Sequence, residues 1–213
     1  MIYYLYIQRY FVLMIEFEEK KMIEELIKKN RTYRKYYQNK KVSSSDLLRL
    51  IDIARISSCG NNMQALKYIV CNTKEKNDVL FKNLRWAAAL SDWDGPIEGE
   101  RPSAYIVIAL DTKIRNDAMW DHGIAATNIL LLATELGYGG CMFASFDKKK
   151  LQEAFHLEDH IVPLMVISLG VPLEKVQLED MKDGKFQYYR GKDGTHHVPK
   201  RRLEEVLIGR YLE

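Results

Sequence analysis

The sequence has few cysteines, and their spacing suits neither a metal site nor a disulfide framework. Cys59, Cys71 and Cys141 are the three cysteines among 213 residues, an odd number with no C-x-x-C pair. This argues against a small disulfide-stapled scaffold and against a structural zinc site. A reducing environment suits such a set of thiols, so we expect a cytoplasmic protein.

The sequence also lacks a strong excess of charge of one sign and a long hydrophobic run. Its 32 basic and 29 acidic residues leave a net charge of +3, which gives no reason to expect a nucleic-acid partner. The first fifteen residues are apolar and aromatic but contain Gln8 and Arg9. They are shorter than the roughly 20 apolar residues of a membrane span and lack the basic start and A-x-A site of a signal peptide. We therefore expect no membrane partner.

The length and the hydrophobic content of 47% are typical of one domain. We assign residues 1–15 to an N-terminal extension and residues 16–213 to a single domain. Met14 is an alternative natural start, which would place residues 1–13 upstream of the protein. Mass spectrometry of the N-terminus of natively expressed protein distinguishes the two starts.

Hydrophobic periodicity predicts three main helices. The first is amphipathic and runs from Glu16 to Asn30, with Met22, Ile23, Leu26 and Ile27 on its apolar face. The second follows the possible N-caps of Ser43–Asp46, buries Leu47, Leu50, Ile51 and Ala54, and ends by Gly60. The third and longest covers about Asn116–Leu136 and is apolar nearly all round, so we expect it to be buried, either in the core of one subunit or against a dimer partner. Gly137 is expected in a left-handed conformation after it.

Short segments rich in β-branched and aromatic residues predict four strands. They are Lys67–Asn72, Ala104–Leu110, Cys141–Phe146 and Leu164–Leu169. Two further stretches are rich in turn residues. Asp92–Arg101 is long enough to act as a lid beside a site, and Gly184–Lys200 contains a plausible hairpin turn at Asp193-Gly194.

Four separated segments carry side chains suited to ligand binding. The first is Asn30–Tyr36, where Arg31 and Arg34 flank the hydroxyl of Thr32, a combination that suits a phosphate. Cations at a helix end are also commonly solvated. The second is Ser57–Gln64, whose small residues and amides suit the edge of a flat heteroaromatic ring, although ordinary polar turns have the same composition.

The third segment, Gly137–Met142, contains three glycines that close a helix and lead into a strand. A dinucleotide-binding fingerprint needs its glycines after a strand, so this order excludes that interpretation. The glycines either aim backbone N–H groups at a ligand or make a tight connection. The fourth segment, His196–Glu205, has consecutive cations at Lys200–Arg202 that suit a phosphate. Adjacent histidines on an extended chain point to opposite faces, so we expect no metal there.

Together the four segments resemble, in order and spacing, the flavin-binding pattern of the nitroreductase family from about Ile23 to Ile208. The resemblance implies an α+β, nitroreductase-like fold, with a central mostly antiparallel sheet flanked by helices, in a homodimer with flavin mononucleotide (FMN) at the interface. The residues that it implies as cofactor-binding are Arg31, Thr32, Tyr33, Arg34, Ser58, Cys59, Asn62, Gln64, Gly139, Gly140, Cys141, Met142, and Lys200 or Arg201. Thr32 and Cys59 stand where the family pattern has serines, and Ser58 and Ala65 where it has prolines.

The implied function is an FMN-dependent oxidoreductase that passes electrons from NADH or NADPH to a small electron-poor acceptor such as a nitroaromatic or quinone. The flavin carries the chemistry, so no catalytic side chain is assigned. Reductive dehalogenation and a non-catalytic flavin sensor or carrier are the alternatives. Trp86, Trp93 and Phe143 are candidates for stacking on substrates, or else for packing in the core.

Overall fold

The computed structural model describes residues 22–87 and 93–213. The N-terminal extension, the alternative start at Met14 and the predicted helix start at Glu16 lie outside these residues. Within them, no helix is long and apolar enough to span a membrane.

A four-stranded antiparallel sheet forms the centre of the fold. Its strands lie in the order β1-β2-β4-β3, and each neighbouring pair is antiparallel. The bounds are β1 Leu66–Cys71, β2 Ala104–Asp111, β3 Gly139–Phe143 and β4 Ile161–Gly170. All four predicted strands are therefore confirmed, with β3 starting two residues earlier than predicted and β4 starting three residues earlier.

Helices flank this sheet. They are α1 (residues 22–29), α2 Ser44–Arg55, α3 Lys74–Asn83, α4 Asp121–Glu135, α5 Lys148–Ala154 and α6 Leu203–Val206, with a 3-10 turn at Gly60–Asn62. Ser43 caps α2, because its hydroxyl accepts a hydrogen bond of 3.0 Å from the Asp46 N–H. The sequence analysis missed α3 and α5, since their many Lys, Glu and Asn residues leave only a short apolar stripe.

The core has two layers because the buried strand β2 faces helices on both sides. Successive side chains of a strand point to opposite faces. Ile106 and Ile108 pack with residues of α2 and α4, whereas Tyr105 and Val107 pack with a cluster that includes Leu80 of α3 and Leu151 of α5. The expected α+β arrangement is thus confirmed.

Helix α4 is shorter than the sequence predicts, and only one of its faces is buried in the single chain. It begins at Asp121 because Met119, just before it, has a positive φ of 43°, which interrupts right-handed helix. One face is buried, through Ala126 and Ile129, but Ile124 on the other face is 37% exposed in the single chain. Gly137 has a φ of 83°, as predicted for the position after the helix end.

A second, three-stranded sheet follows the first. Its strands are β5 Val176–Asp180, β6 Tyr189–Arg190 and β7 His196–Lys200, in the order β5-β7-β6. β6 and β7 are antiparallel, and the predicted turn at Asp193-Gly194 connects them. These strands are short and rich in polar residues, so the sequence predicted only the turn.

Strand β3 packs too closely against its neighbours to carry side chains at its first two positions. A Cβ on Gly139 would lie 2.4 Å from the ring of Tyr33. A Cβ on Gly140 would lie 2.6 Å from the carbonyl oxygen of Ser168 and 2.6 Å from a methyl group of Leu130. The glycines therefore permit the close approach of three elements.

We predict that Gly140→Ala lowers the free energy of unfolding by about 1–3 kcal/mol, because backbone must move to admit the methyl group. Chemical denaturation measures the change. Met142→Ala on the same strand is the matched control: its side chain is 40% exposed, and its truncation should cost less than about 1 kcal/mol. Equal stability of Gly140→Ala and the wild-type protein would contradict this account of the packing.

Candidate functional site

The first and third predicted segments lie side by side. Thr32 forms a parallel bridge with Gly140, and the Tyr33 N–H donates to the Gly140 carbonyl at 3.0 Å. The carboxylate of Glu174 accepts hydrogen bonds from the backbone N–H groups of Arg34 and Lys35. These contacts fix the path of the first segment, Asn30–Tyr36, along the end of the sheet. We call it the arginine segment.

An open cleft of about 460 Å³ runs beside this junction, and we call it the basic cleft. It is lined by Asn30, Arg31, Thr32, Arg34, Leu130, Gly140, Cys141, Met142, Tyr188, His196, Val198 and Lys200. Seven of the predicted cofactor-binding residues are among them, drawn from the first, third and fourth segments. Three segments that are far apart in sequence therefore meet at one site.

The basic cleft has an uncompensated positive charge. Within the described part of the chain, Arg31, Arg34 and Lys200 form no ion pair with a carboxylate. Other cations nearby do, since Lys35 pairs with Glu100 at 2.8 Å and Arg190 with Glu174 at 3.3 Å. Three unpaired cations in one concave site favour an anion.

Two buried nitrogen atoms in the cleft also lack hydrogen-bond partners among the described residues. Arg31 donates from Nη2 to the Ile27 carbonyl at 2.7 Å, but its buried Nε has no hydrogen-bond partner among the described residues. The same holds for Nδ1 of His196, a residue that is 1% exposed. Buried polar atoms are normally satisfied, so these two indicate that a polar ligand belongs here.

The side chain of Arg34 is held on two sides. Its guanidinium lies 4.7 Å from the centre of the Tyr188 ring, and its Nη1 lies 3.4 Å from Nε2 of His196. Desolvation, and then the charges of Arg34 and Arg190, lower the pKa of His196 to about 4. His196 is therefore neutral at neutral pH, and the net positive charge of the cleft comes from its arginines and lysine.

The remaining predicted residues of these segments have other roles in the single chain. Tyr33 packs against Gly139, and desolvation raises the pKa of its hydroxyl. Cys141 does line the cleft, but it is largely buried, and desolvation raises the pKa of its thiol to about 11, so the thiol stays protonated. Arg201 lies outside the cleft and contacts Glu205 at 3.5 Å. Of the two alternatives for the C-terminal cation, the structure places Lys200 in the cleft.

The second predicted segment lies in a different cavity of about 140 Å³, which we call the loop cavity. It is lined by Ala54, Arg55, Ser57, Ser58, Cys59, Gln64, Leu66, Tyr68, Asp121 and Ala125. Both cavities touch α4, but at different residues, Leu130 in one and Asp121 and Ala125 in the other, and they share no lining residue. The single chain therefore does not bring the second segment to the basic cleft.

The backbone of this second segment has unusual dihedral angles, and a neighbouring side chain holds it in place. Asn61, Asn62 and Gln64 all have a φ between 51° and 54°, which costs free energy for residues other than glycine. The buried carboxylate of Asp121 accepts the Gly60 N–H at 2.9 Å and so anchors the loop to the start of α4. Strained backbone that the surroundings hold in place is typical of binding sites.

The three aromatic candidates pack on one another. The ring centres of Trp86 and Phe143 are 4.7 Å apart, and those of Trp86 and Trp93 are 6.2 Å apart. Trp86 and Phe143 are buried in the core cluster below β2, and Arg190 lies over Trp93. In this chain the three rings stabilise the core and its edge, and none of them lines the basic cleft or the loop cavity.

The predicted lid packs beside the arginine segment. Its described residues, 93–101, include Gly99 and Glu100, whose carbonyls accept the N–H groups of Gln38 and Tyr36. None of these residues lines either cavity. Through these hydrogen bonds the loop supports the end of the arginine segment.

The sequence analysis missed the binding potential of Tyr188, His196 and Val198. His196, Val198 and Lys200 alternate along β7 and line the cleft together, as residues on one face of a strand do. His197 points away and contacts Glu179 at 3.1 Å. This alternation was visible in the sequence and could have linked His196 to Lys200.

Comparison with known proteins agrees with this geometry. The model of the "Nitroreductase family" matches residues 27–171. A "Putative NADH dehydrogenase/NAD(P)H nitroreductase" of Methanothermobacter thermautotrophicus is 26% identical over 165 residues, which cover 75% of this chain and 82% of that protein.

Two solved structures have the same fold. An "FMN-dependent Nitroreductase" from Clostridium difficile R20291 is 25% identical, with a TM-score of 0.58 over 74% of this chain and 91% of that chain. A "putative nitroreductase in complex with FMN" from Exiguobacterium sibiricum is 20% identical, with a TM-score of 0.59 over 71% of this chain and 88% of that chain. Since the family match spans more than half of the sequence, the chain belongs to the nitroreductase family.

Proposed function

We propose that this protein is an FMN-dependent oxidoreductase that passes electrons from NADH or NADPH to a small electron-poor acceptor, such as a nitroaromatic or quinone, by alternate binding at one site. The observation that carries the proposal is the basic cleft, in which Arg31, Arg34 and Lys200 lack carboxylate partners. The names of the relatives in Methanothermobacter thermautotrophicus and Clostridium difficile support the donor and the cofactor.

The residues of the cleft fit the phosphate end of FMN. Arg31 and Arg34 offer forked donors, Thr32 a hydroxyl donor and Lys200 a compact charge. The unpartnered Nε of Arg31 is a buried donor that a phosphate oxygen would satisfy. Cys141 and Met142 line the cleft from β3 and would contact the bound cofactor there.

The flavin, when bound, supplies the electron transfer that no side chain can perform. The chain's own residues bind and orient the ligand. The described residues include no cluster of three or more His, Cys, Asp or Glu residues that could hold a metal ion. Asn62 and Gln64, held by the strained loop, would present amide donors and acceptors to the ring.

We further propose that the site is completed in a homodimer, with the basic cleft of one chain facing the loop cavity of its partner. The separation of these two cavities along α4 supports this arrangement, since both contain predicted flavin-binding residues. Apolar side chains exposed in the single chain supply surface for an interface. They include Met22 and Ile23 on α1, Met119 and Trp120 before α4, and Ile208 and Leu212 near the C-terminus.

We retain as proposals that residues 16–213 form one domain and that the protein works in the cytoplasm. The three cysteines are free thiols, and burial raises the pKa values of Cys71 and Cys141 to about 11. Thiols of this kind resist oxidation because their thiolate forms are scarce.

The double variant Arg31→Ala/Arg34→Ala should bind FMN at least about a hundredfold more weakly, because each arginine contributes charge-assisted hydrogen bonds. Fluorescence titration of apoprotein with FMN measures the affinity. The matched control, Lys148→Ala/Lys149→Ala, removes two exposed cations of α5 and should leave affinity unchanged. Equal FMN affinity in both double variants would show that the phosphate binds elsewhere.

Turnover separates an enzyme from a flavin carrier. We predict that NADH or NADPH bleaches the flavin absorbance under anaerobic conditions and that a quinone or nitroaromatic restores it. Dithionite is the control, because it reduces bound flavin in either case. Bleaching by dithionite but not by NADH or NADPH would contradict the proposed enzymatic activity and favour a non-catalytic flavin carrier.

A site shared between chains predicts complementation. Arg34→Ala damages the basic cleft, and Cys59→Trp fills the loop cavity, so neither homodimer should retain FMN. A mixed dimer holds one intact site and one site in which both halves are damaged. If the chains pair at random, about half of the dimers are mixed, so co-expression of the two differently tagged chains should restore FMN in about one site in four. No recovery in purified mixed dimers would contradict a shared site.

A further inference from the structure

The side chain of Arg34 is held by His196 of the three-stranded sheet, which we call the small sheet, and by Tyr188, the residue just before its strand β6. The ring of Tyr188 lies against one face of the guanidinium at 4.7 Å, and Nε2 of His196 lies 3.4 Å from Nη1. The rings of Tyr188 and His196 also contact each other, with centres 5.1 Å apart. Both residues follow position 171, where the family match ends.

The proton on His196 can be assigned from its neighbour. A guanidinium only donates hydrogen bonds, so Nε2 of His196 must be the accepting nitrogen. This requires a neutral ring with its proton on Nδ1. Burial next to Arg34 and Arg190 lowers the pKa of His196 to about 4, which agrees with a neutral acceptor.

The backbone of Arg34 is fixed independently. The Glu174 carboxylate accepts the Arg34 N–H and is held in turn by Arg190 at 3.3 Å. His196 is anchored by its own N–H, which donates to the Lys175 carbonyl at 2.8 Å. Because both its main chain and its guanidinium are fixed, Arg34 loses little conformational freedom when it binds an anion.

We propose that Tyr188 and His196 are positioning residues that orient Arg34 and so make the site selective for a flavin bearing a terminal phosphate. This inference rests on the proposed function, since it assigns the ligand of the basic cleft. Selectivity for FMN over riboflavin then depends on Tyr188 and His196. Neither residue touches the reacting atoms in this role.

The test compares the affinities of FMN and riboflavin, which share the ring and differ in the phosphate. Wild-type apoprotein should prefer FMN. Tyr188→Leu and His196→Leu should lower that preference by roughly tenfold or more, through weaker FMN binding at unchanged riboflavin affinity. Tyr188→Phe, which keeps the ring, and His196→Gln, which keeps an acceptor, are the matched controls and should retain most of the preference.

Thermal unfolding checks the fold of each variant, and Tyr188, which is only half-buried, provides a test if His196→Leu is unstable. An unchanged preference in Tyr188→Leu would overturn the inference. So would an equal loss of FMN and riboflavin affinity, which would indicate a merely structural role. Absence of any flavin binding by the wild-type protein would contradict the proposed function instead, and with it the ligand assigned here.

Discussion

The site depends on the close pairing of the arginine segment with the first residues of β3. Tyr33 donates to the carbonyl of Gly140, and the absence of side chains at Gly139 and Gly140 lets the segment lie against the sheet. This contact joins residues that are more than a hundred positions apart. Without it, Arg31 and Arg34 would be ordinary cations at the end of α1, solvated and mobile. The sheet therefore turns a common surface pattern into an anion site.

The net positive charge of the basic cleft depends on which nearby charged side chains are already paired. The carboxylate of Glu174 is already engaged by Arg190 and by the backbone N–H groups of Arg34 and Lys35. His196 contributes no charge because burial beside arginines keeps it neutral. The small sheet thus adds shape and support to the cleft, while Arg31, Arg34 and Lys200 supply its positive potential. A cleft of this kind attracts an anion without a carboxylate that would compete for its donors.

Much of the fold was predictable because its elements carry strong local signals. The central strands are short apolar runs, and the caps at Ser43 and Gly137 mark the ends of helices. Helices α3 and α5 and the small sheet were missed, since polar residues there obscure the period that reveals an element. Three of the four site segments meet as a shared ligand would require. Tertiary packing, which one sequence does not display, places the second segment, Ser57–Gln64, in a separate cavity and gives His196 its role.

The most direct measurement of the central claim is the absorption spectrum of the purified full-length protein, with analysis of any chromophore released on denaturation. The account predicts flavin bands in the visible region and release of FMN, either as purified or after reconstitution with FMN. A protein that shows no flavin bands after reconstitution would contradict the assignment of the basic cleft as a flavin phosphate site.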